Sequence, residues 1–329
     1  MSNYQSIEIC AGAGGQALGL LNAGFDHAAL VEIDKNACNT LRYNRPDWNI
    51  MEMDVREFSA LDFRGVDLFA AGVPCPPFSV AGKQLGKQDE RDLFPEAIRL
   101  IRECNPKAIL LENVKGLLSK RFNSYRSNLE KQLNELGYYG MWKLIISSDY
   151  QVPQLRPRAV FVGFQKEYIN YYEWPKKQSA PKTVGETLYQ EMASLGWEQA
   201  HEWKQIANGI APTLVGGSKK HGGADLGPTR AKKAWEKLGV DGKGVANTPP
   251  AAGFSGMPRL TVKMAGLIQG FPGDWTFTGK KTPAYRQVGN AFPPPVAEAI
   301  GKKIISALKK EEKKWQFGKV QELNFVNTL

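Results

Sequence analysis

No apolar run in the 329 residues approaches the roughly 18 that a membrane-spanning helix needs, so no membrane partner is expected. The opening Met1-Ser-Asn-Tyr-Gln-Ser has neither the basic segment nor the apolar core of a secretory signal. Cysteine is scarce, and Cys10, Cys38, Cys75 and Cys104 show no CxxC spacing and no histidine at zinc-ligand intervals. No metal site is therefore expected, and the thiols are expected to be free and reduced in a cytoplasmic protein. There is no internal repeat and no GxGxxG, which disfavours a dinucleotide-dependent oxidoreductase. Acidic residues are in deficit: 33 Asp and Glu face 43 Lys and Arg, a formal charge of +10 that favours a polyanionic partner over a neutral one.

What is present is a 42% hydrophobic chain, enough for one large and one smaller domain. In the first half short apolar runs alternate with amphipathic stretches. Ser6–Ile9, Ala28–Glu32, Asp67–Gly72 and Ala108–Glu112 read as strands, as do the later Met141–Ser147 and Ala159–Phe164. Gly14–Ala23, Asp34–Asn44, Phe94–Glu103 and Ser124–Leu136 read as helices. That rhythm predicts an α/β fold, a doubly wound and mostly parallel sheet covered on both faces. From Lys166 the texture becomes aromatic and polar. Between Lys219 and Lys243 seven basic residues and three acidic ones are interspersed with glycine. This stretch is either a solvated loop or a surface whose glycines let the backbone approach a nucleic acid. Regular patterning returns after Arg259 and ends in a helix, Pro295–Leu308. The expected division is 1–165 for catalysis and cofactor, 166–258 for target recognition, 259–315 back in the first domain, and a tail over 316–329.

Ala11-Gly-Ala-Gly-Gly15 follows the first predicted strand and opens the first predicted helix, the place where doubly wound sheets bind nucleotides. Glu32 ends the second strand and can accept hydrogen bonds from ribose hydroxyls. Asp54 follows the third. Each acid alone could be a helix cap, as could Asp34. Gly72-Val-Pro-Cys-Pro-Pro-Phe-Ser79 puts Cys75 between prolines, which excludes a helix interior or a central strand and fixes the thiol on a stiff loop at the ligand crevice. Glu112-Asn-Val follows an apolar strand; its carboxyl suits proton donation if poorly solvated, or simply bonds a loop amide. Gln154-Leu-Arg-Pro-Arg158 sets two guanidinium groups two residues apart, able to grip a phosphate or base oxygen, or to pair with carboxylates.

In this order, over nearly the whole chain, these motifs resemble those of the DNA cytosine-5 methyltransferase family, in its restriction–modification branch. The turn at Cys10, Ala11, Gly12 and Gly14 resembles the cofactor motif, with Glu32, Ile33, Asp54, Val55 and Pro74 as further cofactor contacts. Pro-Cys-Pro-Pro-Phe-Ser resembles the nucleophile loop, Glu112-Asn-Val the ENV motif, and Gln154-x-Arg156-x-Arg158 the QxRxR motif. Arg259-Leu-Thr and Leu267-Ile-Gln-Gly-Phe-Pro resemble the motif after the recognition region. Tyr285-Arg-Gln-Val-Gly-Asn290 resembles the last motif, whose helix completes the cofactor pocket through Asn290. The chain departs from the family at Cys10 and Ile33, where aromatics are common, at Glu8, usually Asp, and at Pro76, often Gln.

The resemblance implies a class I S-adenosylmethionine-dependent methyltransferase fold, with S-adenosylhomocysteine as product. It also implies that Cys75 adds to cytosine C6 while Glu112 holds a proton at N3 and Arg158 contacts O2, with Arg156 in the same catalytic group. The target base must then leave the stack. Double-stranded DNA is the expected partner, met by Ser79, Arg91, Thr213, Lys219, Lys220, Lys232 and Lys233. A monomer, nucleoid-associated in a prokaryote and paired with a cognate restriction endonuclease, completes the expectation. The nearest competitor is a tRNA cytosine methyltransferase; a catalytically silent DNA-binding regulator of the same fold is disfavoured by retention of Cys75, Glu112 and Arg158.

Overall fold

The computed structural model describes residues 4–74, 92–216 and 224–310. Cys75, Ser79, Arg91, Lys219 and Lys220 lie outside the described residues.

The chain runs β1 (Tyr4–Ile9), α1 (Gly15–Ala23), β2 (Phe25–Glu32), α2 (Lys35–Asn44), β3 (Ile50–Glu52), β4 (Leu68–Gly72), α3 (Phe94–Cys104), β5 (Ala108–Val114), α4 (Asn123–Glu135), β6 (Tyr138–Ile146) and β7 (Pro157–Gln165). These strands form one sheet in the order β3-β2-β1-β4-β5-β7-β6. The pairs from β3 to β5 are parallel, and β7 runs antiparallel to both its neighbours. One reversed strand in seven makes the sheet mostly parallel, as expected. The winding direction changes between β1 and β4, so the crevice of a doubly wound sheet opens at their carboxyl ends.

Period-two alternation sends successive side chains to opposite faces. Ile7, Ile9, Phe69, Ala71, Ile109 and Leu111 pack beneath Phe94, Ile98 and Ile101 of α3 and Leu129 and Leu133 of α4. Leu68, Ala70, Leu110, Val160 and Val162 face the other way, onto Leu20 and a last helix, α10 (Pro294–Leu308). Proline at the first turn of α10 removes amides that would have no intrahelical acceptor. Asp34 caps α2, accepting from the Asn36 and Ala37 amides, and Gly24 ends α1 in the left-handed conformation.

Strand limits differ from the sequence reading. β2 begins at Phe25 rather than Ala28 and β6 at Tyr138 rather than Met141. β5 continues past Glu112 to Val114, so Glu112 sits within a paired strand, opposite Gly72 on one side and Val160 on the other.

Beyond β7 lie α5 (Val184–Ala193), α6 (Ala200–Ile206), α7 (Thr229–Glu236), α8 (Val262–Gln269) and α9 (Lys281–Asn290). They share one core. Leu188, Trp203, Leu214 and Trp235 pack with Leu260, Met264, Ile268, Tyr285 and Val288.

Candidate active site

The Cys10–Gly15 turn joins β1 to α1 with backbone that ordinary residues avoid. Gly12 and Gly14 have positive φ, and so does Cys10, at 54°. A Cβ on Gly15 would lie 2.2 Å from the Phe292 carbonyl oxygen, so that glycine also lets the turn settle on the segment before α10. Glu32, at the end of β2, accepts from the Gly12 amide at 2.7 Å and from the Ile33 and Asp34 amides at 2.9 and 2.8 Å. It thus fixes the glycine turn to the end of β2. Burial raises its pKa, and the three amides oppose that shift. Ile33 beside it is an apolar side chain 65% exposed. Asp54 is half-buried, accepts from the Arg56 amide and pairs with the Arg56 guanidinium at 3.3 Å; Val55 is buried.

The next strand ends bring up the candidate catalytic groups. Glu112 is 6% exposed, and its Oε1 lies 2.8 Å from Arg158 Nε. The two meet because Val114 pairs with Arg158 and Glu112 with Val160, which sets Glu112 and Arg158 diagonally on one face of the sheet. Burial pushes the Glu112 carboxyl above the ordinary range, with Arg158 and then Arg156 opposing it. Asn113 donates its side-chain amide to the Val73 carbonyl at 3.2 Å, so the chain leading from β4 through half-buried Pro74 is pinned to β5 just before Cys75. The sequence reading gave Asn113 no role.

Arg156 is placed otherwise than Arg158. It is 0% exposed, and its guanidinium donates to the Leu214 carbonyl at 2.7 Å and the Gly289 carbonyl at 2.8 Å. Through these two carbonyls the side chain joins the segment before α7 to the end of α9. Gln154, absent from the sequence-derived site, works in the same joint. Its carbonyl accepts from the Leu214 amide at 2.8 Å and its amide donates to the Gln269 side chain at 2.7 Å. Thr213 donates to the Leu155 carbonyl at 2.5 Å. Gly216 and Gly289 touch so closely that a Cβ on Gly289 would fall 2.3 Å from the Gly216 nitrogen. Exposed Asn290 follows. Glycines at 216 and 289 were the available sequence signal for this contact. On α7, Lys232 pairs with Asp225 at 2.7 Å, while Lys233 is exposed.

A glycine turn after β1, an acid at the end of β2 and a buried carboxyl–guanidinium pair stand at the same end of a doubly wound sheet, the arrangement of the class I methyltransferase fold. That fold is shared with the solved structure of a putative DNA modification methyltransferase encoded within an E. coli prophage, at a TM-score of 0.67 and 21% identity, covering 93% of this chain and 99% of that one. The chain belongs to the C-5 cytosine-specific DNA methylase family, whose profile matches residues 4–306. It is 57% identical over 312 residues to the type II methyltransferase M.NgoMIV of Neisseria gonorrhoeae, covering 94% of this chain and 99% of that relative. To the type II methyltransferase M.NaeI of Lentzea aerocolonigenes it is 55% identical over 317 residues, 94% of this chain and 77% of the relative. The protein is thus a DNA cytosine-5 methyltransferase.

Proposed function

We propose that the enzyme methylates C5 of a cytosine flipped out of a specific duplex sequence, using S-adenosylmethionine and a covalent bond from Cys75 Sγ to C6. The observation that carries this reading is the buried Glu112–Arg158 pair, beside the pinned chain that leads to Cys75. The residues of the crevice suit the cofactor. Glu32 offers a carboxylate to the ribose hydroxyls, exposed Ile33 offers an apolar ledge to adenine, and Asp54 and Val55 stand after the third strand. The Cys10–Gly14 turn, Pro74 and Asn290 complete the set. When bound, S-adenosylmethionine supplies an electrophilic methyl group.

Cytosine C5 is a poor nucleophile. Attack of the Cys75 thiolate on C6 pushes an electron pair toward N3, where Glu112 holds the proton, and Arg158 steadies O2. Burial of Glu112 favours its protonated form, the one that can donate. After transfer, water takes the C5 proton, the freed electron pair re-forms the C5–C6 double bond, and the C6–S bond breaks to release the Cys75 thiolate. Arg156 acts through position, tying β7 to the segment at Leu214. The type II relatives support a restriction–modification setting with a cognate endonuclease.

DNA carrying 5-fluorocytosine at the target has no C5 proton to lose, so the wild-type enzyme is expected to form a denaturant-resistant adduct with it, and Cys75→Ala none. Mapping 5-methylcytosine at base resolution after expression in a methylation-free host supplies the target. Adduct formation by Cys75→Ala, or methylation confined to tRNA, would overturn the reading.

A further inference from the structure

Helix α7 carries a cationic stripe whose spacing matches a phosphate backbone. Residues at i, i+3 and i+7 share one helical face, and on α7 and its first C-terminal residue these are Arg230, Lys233 and Lys237, all exposed. With Thr229 and Ala234 they line a shallow surface depression. Trp235, on the opposite face, is fully buried and anchors the helix in the shared core. Among the described residues no carboxylate lies within ion-pair distance of Arg230, Lys233 or Lys237, whereas Lys232, turned off the stripe, is engaged by Asp225 at 2.7 Å. The sequence alone does not separate these lysines; the helix does.

The stripe is also continuous with the catalytic frame. A Cβ on Gly227, two residues before α7, would lie 3.0 Å from the Val215 side chain, and the adjoining Leu214 carbonyl is held by Arg156. The foot of α7 therefore rests on the segment that the QxRxR motif clamps.

Resting on the methyltransferase reading, we propose that Arg230, Lys233 and Lys237 bind the sugar-phosphate backbone of the substrate duplex. Seven residues of helix rise about 10.5 Å, and one strand carries a charge about every 3.4 Å along the duplex axis. Three cations over that length can each meet a phosphate of one strand. They supply affinity that is independent of base sequence, and Lys232 supplies none of it.

The test is the salt dependence of binding to a short synthetic duplex of arbitrary sequence. Each lost phosphate contact reduces the slope of log K against log salt by about 0.9. The triple variant Arg230→Gln, Lys233→Gln, Lys237→Gln is expected to lose about 2.7 from the slope, so that between 50 and 200 mM salt the wild type loses about 40-fold more affinity than the variant. Each single variant should lose about 0.9. A control with the same loss of charge, Lys131→Gln, Lys177→Gln and Lys302→Gln, removes lysines that face Glu135, Asp149 and Glu298, and its slope should stay at the wild-type value. Equal slopes for wild type and the α7 variants overturn the proposal and assign the stripe to some other acidic surface. An equal drop in the control overturns it too, because net charge would then be the cause. Methyl transfer to DNA by the wild type is measured separately; its failure would sink the methyltransferase reading and leave the slopes to stand on their own.

Discussion

Glu8 and Glu112 are both buried carboxyls on central strands, yet only Glu112 has a cation. Glu8 on β1 is 1% exposed, and among the described residues its Oε2 has no hydrogen-bond partner, with Gln16 beside it. Burial raises its pKa well above the ordinary value, while Gln16 opposes the shift and the charges of Glu32 and Glu112 add to it. A carboxyl whose folded pKa is raised contributes its full stability below the unfolded value near 4.3 and loses it as pH climbs toward the folded one. Glu8→Gln removes that titration. Its melting temperature should match the wild type near pH 4 and exceed it increasingly through neutrality. A pH-independent difference in thermal melts of the apo protein would refute the account. At this scale the sequence is legible where position on a strand decides chemistry, as for Glu32. It is silent on Arg156: the motif reads as two equivalent arginines, and only tertiary contact reveals that one is spent on carbonyls 58 and 133 residues away.

Among the elements, α1 and α10 cross on glycine. A Cβ on Gly19 would lie 2.3 Å from the Pro294 carbonyl oxygen and 2.5 Å from the Ala297 Cβ, and one on Gly301 would lie 2.7 Å from the Ala23 Cβ. Gly→Ala in an open helix gains up to about 1 kcal/mol of propensity. At Gly19 overpacking should reverse the sign, so Gly19→Ala is expected to cost about 1–3 kcal/mol net. A denaturant melt showing stabilisation would mean that the crossing is looser than described. Asp34 and prolines made the starts of α2, α3 and α10 readable, whereas α5 to α8 had no sequence reading. The strand starts were less readable. Asp26 and His27 fall outside the expected strand from Ala28, but the His27 ring bonds the Ser6 hydroxyl and the Ala17 carbonyl, and burial lowers its pKa to about 4. Gly140 looks like a strand breaker, yet β6 needs it: a Cβ there would lie 2.3 Å from the Val162 carbonyl oxygen.

For the whole molecule, the motifs stop near Lys166 and resume at Arg259, a boundary plain in the sequence. The core does not respect it. Leu188, Trp203, Leu214 and Trp235 pack with Met264, Ile268, Tyr285 and Val288 in a single cluster. A motif boundary records chemistry, whereas packing depends on side-chain volumes that no motif displays. We therefore expect that grafting 166–258 from a relative with a different target changes which cytosine is methylated but lowers the melting temperature, and that a graft of 166–269, which carries α8 with it, recovers much of the loss. Equal melting temperatures for the two chimeras would show that α8 is indifferent to its neighbour. The same interlock bears on how such enzymes diversify. A recombination event that cuts at the motif edge inherits a new segment with mismatched packing beneath it. Lineages that exchange specificity should carry their crossover points beyond α8, or acquire new targets by drift on exposed positions that the shared core never feels.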